Sequence, residues 1–376
     1  MKKIFLLLLC VVLSATMLAS CGDGEIGDFE YPGYVPDVIP AITLDLYIVV
    51  GDGTSDLAID SVERMVSQYT EQKLNTKLEI HYIEESQYKA ELLAGVDKTG
   101  KDKADIVLIN SYELATQLIE DGKLEDLTGF YDPTDAFIDS FKSVGKNYQI
   151  KLFGRLNTMI TPSLIEASRV DGKLYTVPND HVIGEYAYLL INETAATYYN
   201  VSPEKLTACT SLDDQVLVDL KAAMEADGKV FSDYVFVANG DYSDKAKYAS
   251  EGYICNVVGY PTVDADEAFT SAFAVVKGTE YSNRAMEVLY LLNSDAEFRN
   301  LLQYGVAGVN YVKDADGNIV PHAEGDGVYN MNALYTGSSF LLYYSADWTE
   351  EMKTIGLAQN KESVVYVAPA EPAPEK

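Results

Sequence analysis

Strand and helix patterns alternate through residues 42–119, and no other feature restricts the fold of this chain as strongly. Ile42, Leu44, Leu46 and Ile48 fall at every second position, as in a strand. Gly51-Asp52-Gly53-Thr54 breaks that run. Val62, Met65, Val66 and Tyr69 follow at i, i+3, i+4 and i+7, one apolar face of a helix. Leu78, Ile80 and Tyr82 alternate again, and a polar helical stretch runs to about Leu93. Residues 104–109 form a nearly continuous apolar run, as a central parallel strand requires. Leu114, Ala115, Leu118 and Ile119 mark a further helix, and Gly122 suits the position just past its end. This order predicts a parallel sheet with helices on both faces. Ligands of such sheets bind beyond the carboxyl ends of the strands, which brings Asp52, Asn110, Ser111 and Tyr112 into any site.

A second α/β stretch begins near residue 180. Strands are expected at 186–191, 234–238, 254–258 and 272–276, with helices over 212–226 and 285–292. Asn239-Gly240 and Gly259-Tyr260-Pro261 stop two of the strands. Ser294-Asp295-Ala296-Glu297 has the form of a capping box, with Ser294 as the cap. The 376 residues suffice for about two domains. Lysine and arginine number 28 against 58 acidic residues, a net charge of −30. That balance excludes a partner held by its phosphates, such as nucleic acid, and a polybasic membrane-surface binder. The 28 tyrosines against the single Trp348 supply many rings with a polar tip, suited to stacking on polar ligands as well as to packing.

The first 21 residues carry an address. Lys2 and Lys3 precede the apolar run 4–12, and small residues lead to Leu18-Ala19-Ser20-Cys21. The string resembles a bacterial lipoprotein signal, which implies cleavage before Cys21 and lipid on its thiol. The two lysines would leave with residues 1–20, making the mature charge −32. No later segment approaches the ~18 apolar residues that span a bilayer. The membrane is therefore reached only through the lipid, and the location is extracytoplasmic. Residues 21–40 read as a Gly/Pro tether and 363–376 as a Pro/Ala-rich tail. Cys209 and Cys255 remain, as a bridge or as two buried thiols.

Several segments together resemble extracellular solute-binding proteins of family 1, the class that includes maltose-binding protein. They are residues 104–110 with Gly122-Lys123-Leu124-Glu125-Asp126-Leu127, then Asp171-Gly172-Lys173-Leu174-Tyr175-Thr176-Val177-Pro178, and Leu189-Leu190-Ile191-Asn192. Val258-Gly259-Tyr260-Pro261 with residues 269–275, and Tyr304-Gly305-Val306-Ala307-Gly308-Val309-Asn310-Tyr311, complete the set. The resemblance implies an α/β, two-lobed periplasmic-binding-protein-like (type II) fold. Each lobe would be a mostly parallel sheet flanked by helices. Lobe one would comprise 41–178 and 268–305, and lobe two 183–262 and 306–362. About 80 residues between the crossings imply a reduced second lobe. The implied function is capture of a small solute, an oligosaccharide, for an ABC permease, by a monomer with a hinge. Asn239-Gly240-Asp241-Tyr242 resembles the family turn whose aromatic stacks on ligand. Asp180 and His181 lie at the first crossing, Tyr186 and Asp241 in lobe two, and Ser271 at the return crossing; with Tyr242 and the four lobe-one residues they complete the expected site.

Competing chemistry finds little support. His81, His181 and His322 form no metal motif. Asp314-Ala315-Asp316-Gly317-Asn318 lacks the calcium-loop spacing and reads as a turn between two strands. No nucleophile elbow, Walker loop or dinucleotide fingerprint occurs, so neither cofactor nor metal is expected. Two alternatives stay open: a lipid-anchored glycoside hydrolase, which needs carboxylates about 5–10 Å apart, and a non-transport surface lipoprotein such as an adhesin.

Overall fold

The computed structural model describes residues 40–99, 103–137 and 154–366. The leader, Cys21, the tether up to residue 39 and residues 367–376 lie outside the described residues. β1 (Ile42–Val50) is followed by α1 (Asp56–Leu74), β2 (Thr76–Glu84), α2 (Glu85–Asp97), β3 (Ile106–Ile109) and α3 (Tyr112–Glu120). β1 pairs in parallel with β2 on one side and β3 on the other, Leu46 facing both Ile80 and Ile106. Every residue of β1 except Thr43 is buried, so it is a central strand covered on both faces. Its one buried acid, Asp45, is compensated by His81, whose Nε2 lies 2.7 Å from Oδ1.

α1 buries Ala58, Val62, Val66, Thr70 and Leu74, a line at i+4 spacing. Met65 and Tyr69, expected on that face, sit at its rim. The Tyr69 ring stacks on Phe298 and its hydroxyl donates to Asp295 Oδ2 at 2.7 Å. α3 ends as expected: Gly122 has φ +63°, its N–H reaches Ile119 O, and the Lys123 N–H reaches Leu118 O. α4 (Pro162–Ala167) and β4 (Thr176–Pro178) lead to a first crossing, residues 179–185.

Beyond it lies a second, three-stranded sheet: β5 (Tyr186–Asn192), then α5 (Gln215–Ala226), β6 (Val235–Gly240), α6 (Asp244–Ser250) and β7 (Tyr253–Gly259). β5 is central, and both neighbours run antiparallel to it. The expectation of a mostly parallel sheet in each lobe is therefore corrected here. The chain between β5 and β6 leaves and re-enters at the same sheet end, where Ile191 faces Val235, so β6 must run back. One face packs Leu189 and Ile191 on Leu217, Leu220 and Met224 of α5. The other carries Tyr186, Tyr188 and Leu190.

β8 (Thr262–Val263) and α7 (Ala265–Phe269) form the return crossing to β9 (Ala272–Val275). β9 inserts antiparallel between β3 and β4, giving a first sheet in the order β2-β1-β3-β9-β4. It enters at the end where β3 finishes, Ala272 facing Ile109, so it too must run back. The first sheet is thus mixed, with a parallel half.

α8 (Ser282–Ser294) is buried continuously from Arg284 to Asn293, with an internal Arg284–Glu287 ion pair at 2.9 Å. α9 (Ala296–Tyr304) is capped by Asp295, whose Oδ1 accepts from the Phe298 N–H, and not by Ser294. Ser294 still closes α8, donating to Tyr290 O. β10 (Tyr311–Lys313) and β11 (Ile319–Pro321) flank the expected 314–318 turn, whose N–H groups Asp314 accepts. α10 (Glu350–Glu362) and β12 (Val364–Val365) follow, and β12 pairs in parallel with β8. The start of the expected tail is therefore ordered, because Val364-Val365 completes that ladder.

Residues 306–362, expected wholly with the second sheet, divide differently. Buried Arg299 donates to Ser338 O and Ala333 O, Gln303 donates to Met331 O, and the Gly51 N–H donates to Asn330 O. These bonds hold 328–341 to the first sheet's elements. They satisfy polar side chains of α9 that burial would otherwise leave unpaired. Cys209 and Cys255 are free thiols.

Candidate functional site

Strand directions decide which residues meet. β1, β2, β3 and β4 end, and β9 begins, along one edge of the first sheet. Both crossings leave from that edge, after Pro178 and before Ala272. At the second sheet they join the start of β5 and the end of β7, beside the end of β6, where Tyr186 faces Gly240 and Ala187 faces Gly259. The seven residues of the first crossing reach at most about 25 Å. Two sets of loop residues are therefore brought to the same pair of crossings.

On the first side, Asn110 donates to Glu85 Oε1 at 2.8 Å and lies beside the Tyr335 side chain. Ser111 caps α3, accepting from the Leu114 N–H at 3.2 Å. Tyr112 is 44% exposed and its ring lies 6.0 Å from Phe269 of the return crossing. Asp52 is exposed in the turn after β1, where its carbonyl accepts from Asn330. On the second side, Tyr242 and Tyr260 are 46% and 51% exposed, and each ring lies close to that of buried Tyr186, at 6.3 and 6.2 Å. Tyr186 donates to Glu362 Oε2 at 3.0 Å; burial first, and that bond second, push its phenol up. Asp241 is consumed locally, its Oδ1 accepting from Ser243 and Asp244.

No family model matches the sequence, and no curated protein matches it. Solved structures do match in fold. The N-glycan transport solute binding protein NgtS from Streptococcus pneumoniae aligns at 16% identity with a TM-score of 0.52, covering 86% of this chain and 83% of that one. Its complex with Man5GlcNAc aligns at 16% identity with a TM-score of 0.51 over the same shares. The chain has the fold of an extracellular solute-binding protein.

In this solute-binding fold the three expected crossing residues are interior. Ser271 is fully buried, donates to Leu334 O and lies 3.3 Å from the Asn179 amide. Asp180 is 4% exposed, and burial pushes its carboxyl up to about 6 against the hydrogen bonds from Thr161. One of its oxygens, Oδ1, has no partner. Burial opposes the charge on His181. The Glu267 carboxylate at 3.7 Å, the Asn179 carbonyl at 2.8 Å from Nδ1 and the Asp180 charge outweigh that and raise it. All three are buried at the crossing, with at most 8% of their surface exposed.

Tyr260, Phe269, Tyr335, Glu85 and Glu362 were not among the expected site residues. Tyr260 carried a signal: it stands directly after a strand, in Gly259-Tyr260-Pro261, where an aromatic is left at the sheet's end. Tyr335 and Glu362 carried none, since Tyr335 lies 225 positions from Asn110 beside it and Glu362 176 positions from the Tyr186 it bonds. Among the described residues no group of three or more His, Cys, Asp or Glu is placed to hold a metal, and no helix is long and apolar enough to cross a membrane.

Proposed function

We propose that this chain captures an oligosaccharide between its two sheets and hands it to an ABC permease, tethered to the membrane by lipid at Cys21. The observation that carries this reading is the half-exposed ring set. Tyr112 stands on one side of the crossings and Tyr242 and Tyr260 on the other, each beside hydrogen-bonding groups. Sugar rings offer apolar C–H faces to such rings and hydroxyls to amides and carboxylates. Asn110, Glu85 and Asp52 serve the hydroxyls on the first side. The lobes, taken as the two sheets with their helices, close by a hinge at residues 179–185 and 260–271, because ligand contacts to both favour the closed state. The site binds and releases the sugar without cleaving it. NgtS, whose structure with Man5GlcNAc shares this fold, suggests Man5GlcNAc as the first probe.

The test is thermal unfolding of residues 22–376 with Man5GlcNAc, maltopentaose, cellopentaose, a peptide mixture and spermidine. A compound at 100 times its Kd stabilises by about 2.7 kcal/mol. A shift with one saccharide class, with that saccharide recovered intact, supports the proposal. A shift with saccharide cleaved makes the protein a hydrolase. No shift with any saccharide overturns the proposal.

A further inference from the structure

α10 ends against both crossings, and residues 359–364 bond the backbone of Tyr242, the hydroxyl of Tyr186 and the carbonyl of Pro261, next to Tyr260. Gln359 and Asn360 are 1% and 4% exposed, unusual for two adjacent amides. Gln359 Oε1 accepts from the Tyr242 N–H at 3.1 Å, and its Nε2 donates to Ile183 O at 2.8 Å and to Gly184 O. Asn360 accepts from the Ile183 N–H at 2.9 Å and donates to His181 O and to Thr161 on the first-sheet side. Glu362 accepts from the Tyr186 hydroxyl. The Val364 N–H donates to Pro261 O at 2.9 Å, next to Tyr260. α10 itself lies tight on the crossing: a Cβ on Gly356 would come 2.5 Å from Val182 Cγ2.

We propose that Gln359 and Glu362 are positioning residues, which set Tyr242 and Tyr186 relative to the crossings and so fix the geometry of the aromatic platform. This rests on the saccharide-binding function proposed above. Gln359 spends every polar group on two partners, the first crossing and the backbone of Tyr242. A change in the crossing's path is thereby transmitted to the Tyr242 ring. Glu362 holds the phenol of Tyr186, whose ring lies next to those of both Tyr242 and Tyr260.

The experiment is a double-mutant cycle in residues 22–376, read by affinity for Man5GlcNAc and maltopentaose. Gln359→Met is expected to weaken binding about tenfold in the wild-type background and less than twofold in Tyr242→Ala. Equal losses in the two backgrounds, or no loss in the first, overturn the role of Gln359. Glu362 is exposed, so Glu362→Ala keeps the fold even where Gln359→Met does not. It is expected to weaken binding about threefold, and to add nothing to Tyr186→Phe, which already lacks the hydroxyl. A further loss in Tyr186→Phe overturns the role of Glu362. If no saccharide, cellopentaose included, binds the wild-type chain, the saccharide function falls. Amide exchange in the unliganded protein then decides the positioning claim. Exchange at the Tyr242 N–H about tenfold faster in Gln359→Met supports it, and an unchanged rate overturns it.

Discussion

Tyr242 and Asp180 stand for the two ways a side chain serves at the crossings. Tyr242 leaves nearly half its surface to solvent, so its ring adds little to the fold and is free to meet a ligand. Tyr242→Ala is expected to weaken saccharide binding about tenfold, with the unliganded Tm nearly unchanged; titration calorimetry and a melting curve check both. Asp180 is the opposite case, a carboxyl taken almost wholly out of water. Its folded value, about 6, lies above the unfolded 3.8, so the fold favours the protonated form. That contribution is fully present below about pH 4 and is lost as pH rises through about 6. The stability of Asp180→Asn minus that of wild type should therefore rise by roughly 2–3 kcal/mol between pH 4 and pH 6. Urea unfolding at both pH values measures it. His181, also raised, loses its own contribution at higher pH, above its ordinary range.

At the scale of elements, the two crossings behave as one packed unit. Gly184 has φ +43°, and a Cβ there would meet Thr262 O at 3.1 Å and Thr262 N at 3.3 Å. Both the left-handed backbone and the contact with the return crossing exclude a larger residue. Gly184→Ala is expected to cost about 1–3 kcal/mol, read as a lowered urea midpoint with unchanged slope. The parallel pair of β8 and β12 binds the return crossing to the end of α10. Within the first sheet, Asp295 serves two elements, capping α9 and accepting from Tyr69 of α1. Asp295→Ala should cost about 1–2 kcal/mol, more than an ordinary cap, because both bonds are lost.

For the whole molecule, the two crossings and α10 connect the two sheets among the described residues, and the proposed capture calls for a hinge there. A saccharide that touches Tyr112 on one side and Tyr242 on the other couples the sheets. Small-angle scattering should show the radius of gyration falling on saturation with a bound saccharide, and staying constant with a saccharide that gives no thermal shift. The excess of acidic residues keeps such a molecule soluble and turns polyanions away, which suits a neutral ligand.

The local pattern of the chain already contained the elements. The period of two in 42–48, the apolar run 104–109 and the breaks at Gly51, Gly122, Gly240 and Gly259 place strands and helices close to where they stand, because these signals act between near neighbours. They also placed Asn110, Ser111 and Tyr112 at a strand's carboxyl end, and Tyr242 after Asn239-Gly240. Strand direction was not legible in the second sheet: whether β6 runs with or against β5 depends on the path of the helices between them. Nor was the partnership of α9 with 328–341, or of Gln359 with Ile183 and Tyr242. Those bonds join residues tens to nearly two hundred positions apart, and nothing in a single sequence records such a meeting. The burial of Asp180, His181 and Ser271 was decided the same way. Sequence put them at a crossing, and only the packing of α10, α7 and the 334–339 segment around that crossing made them interior.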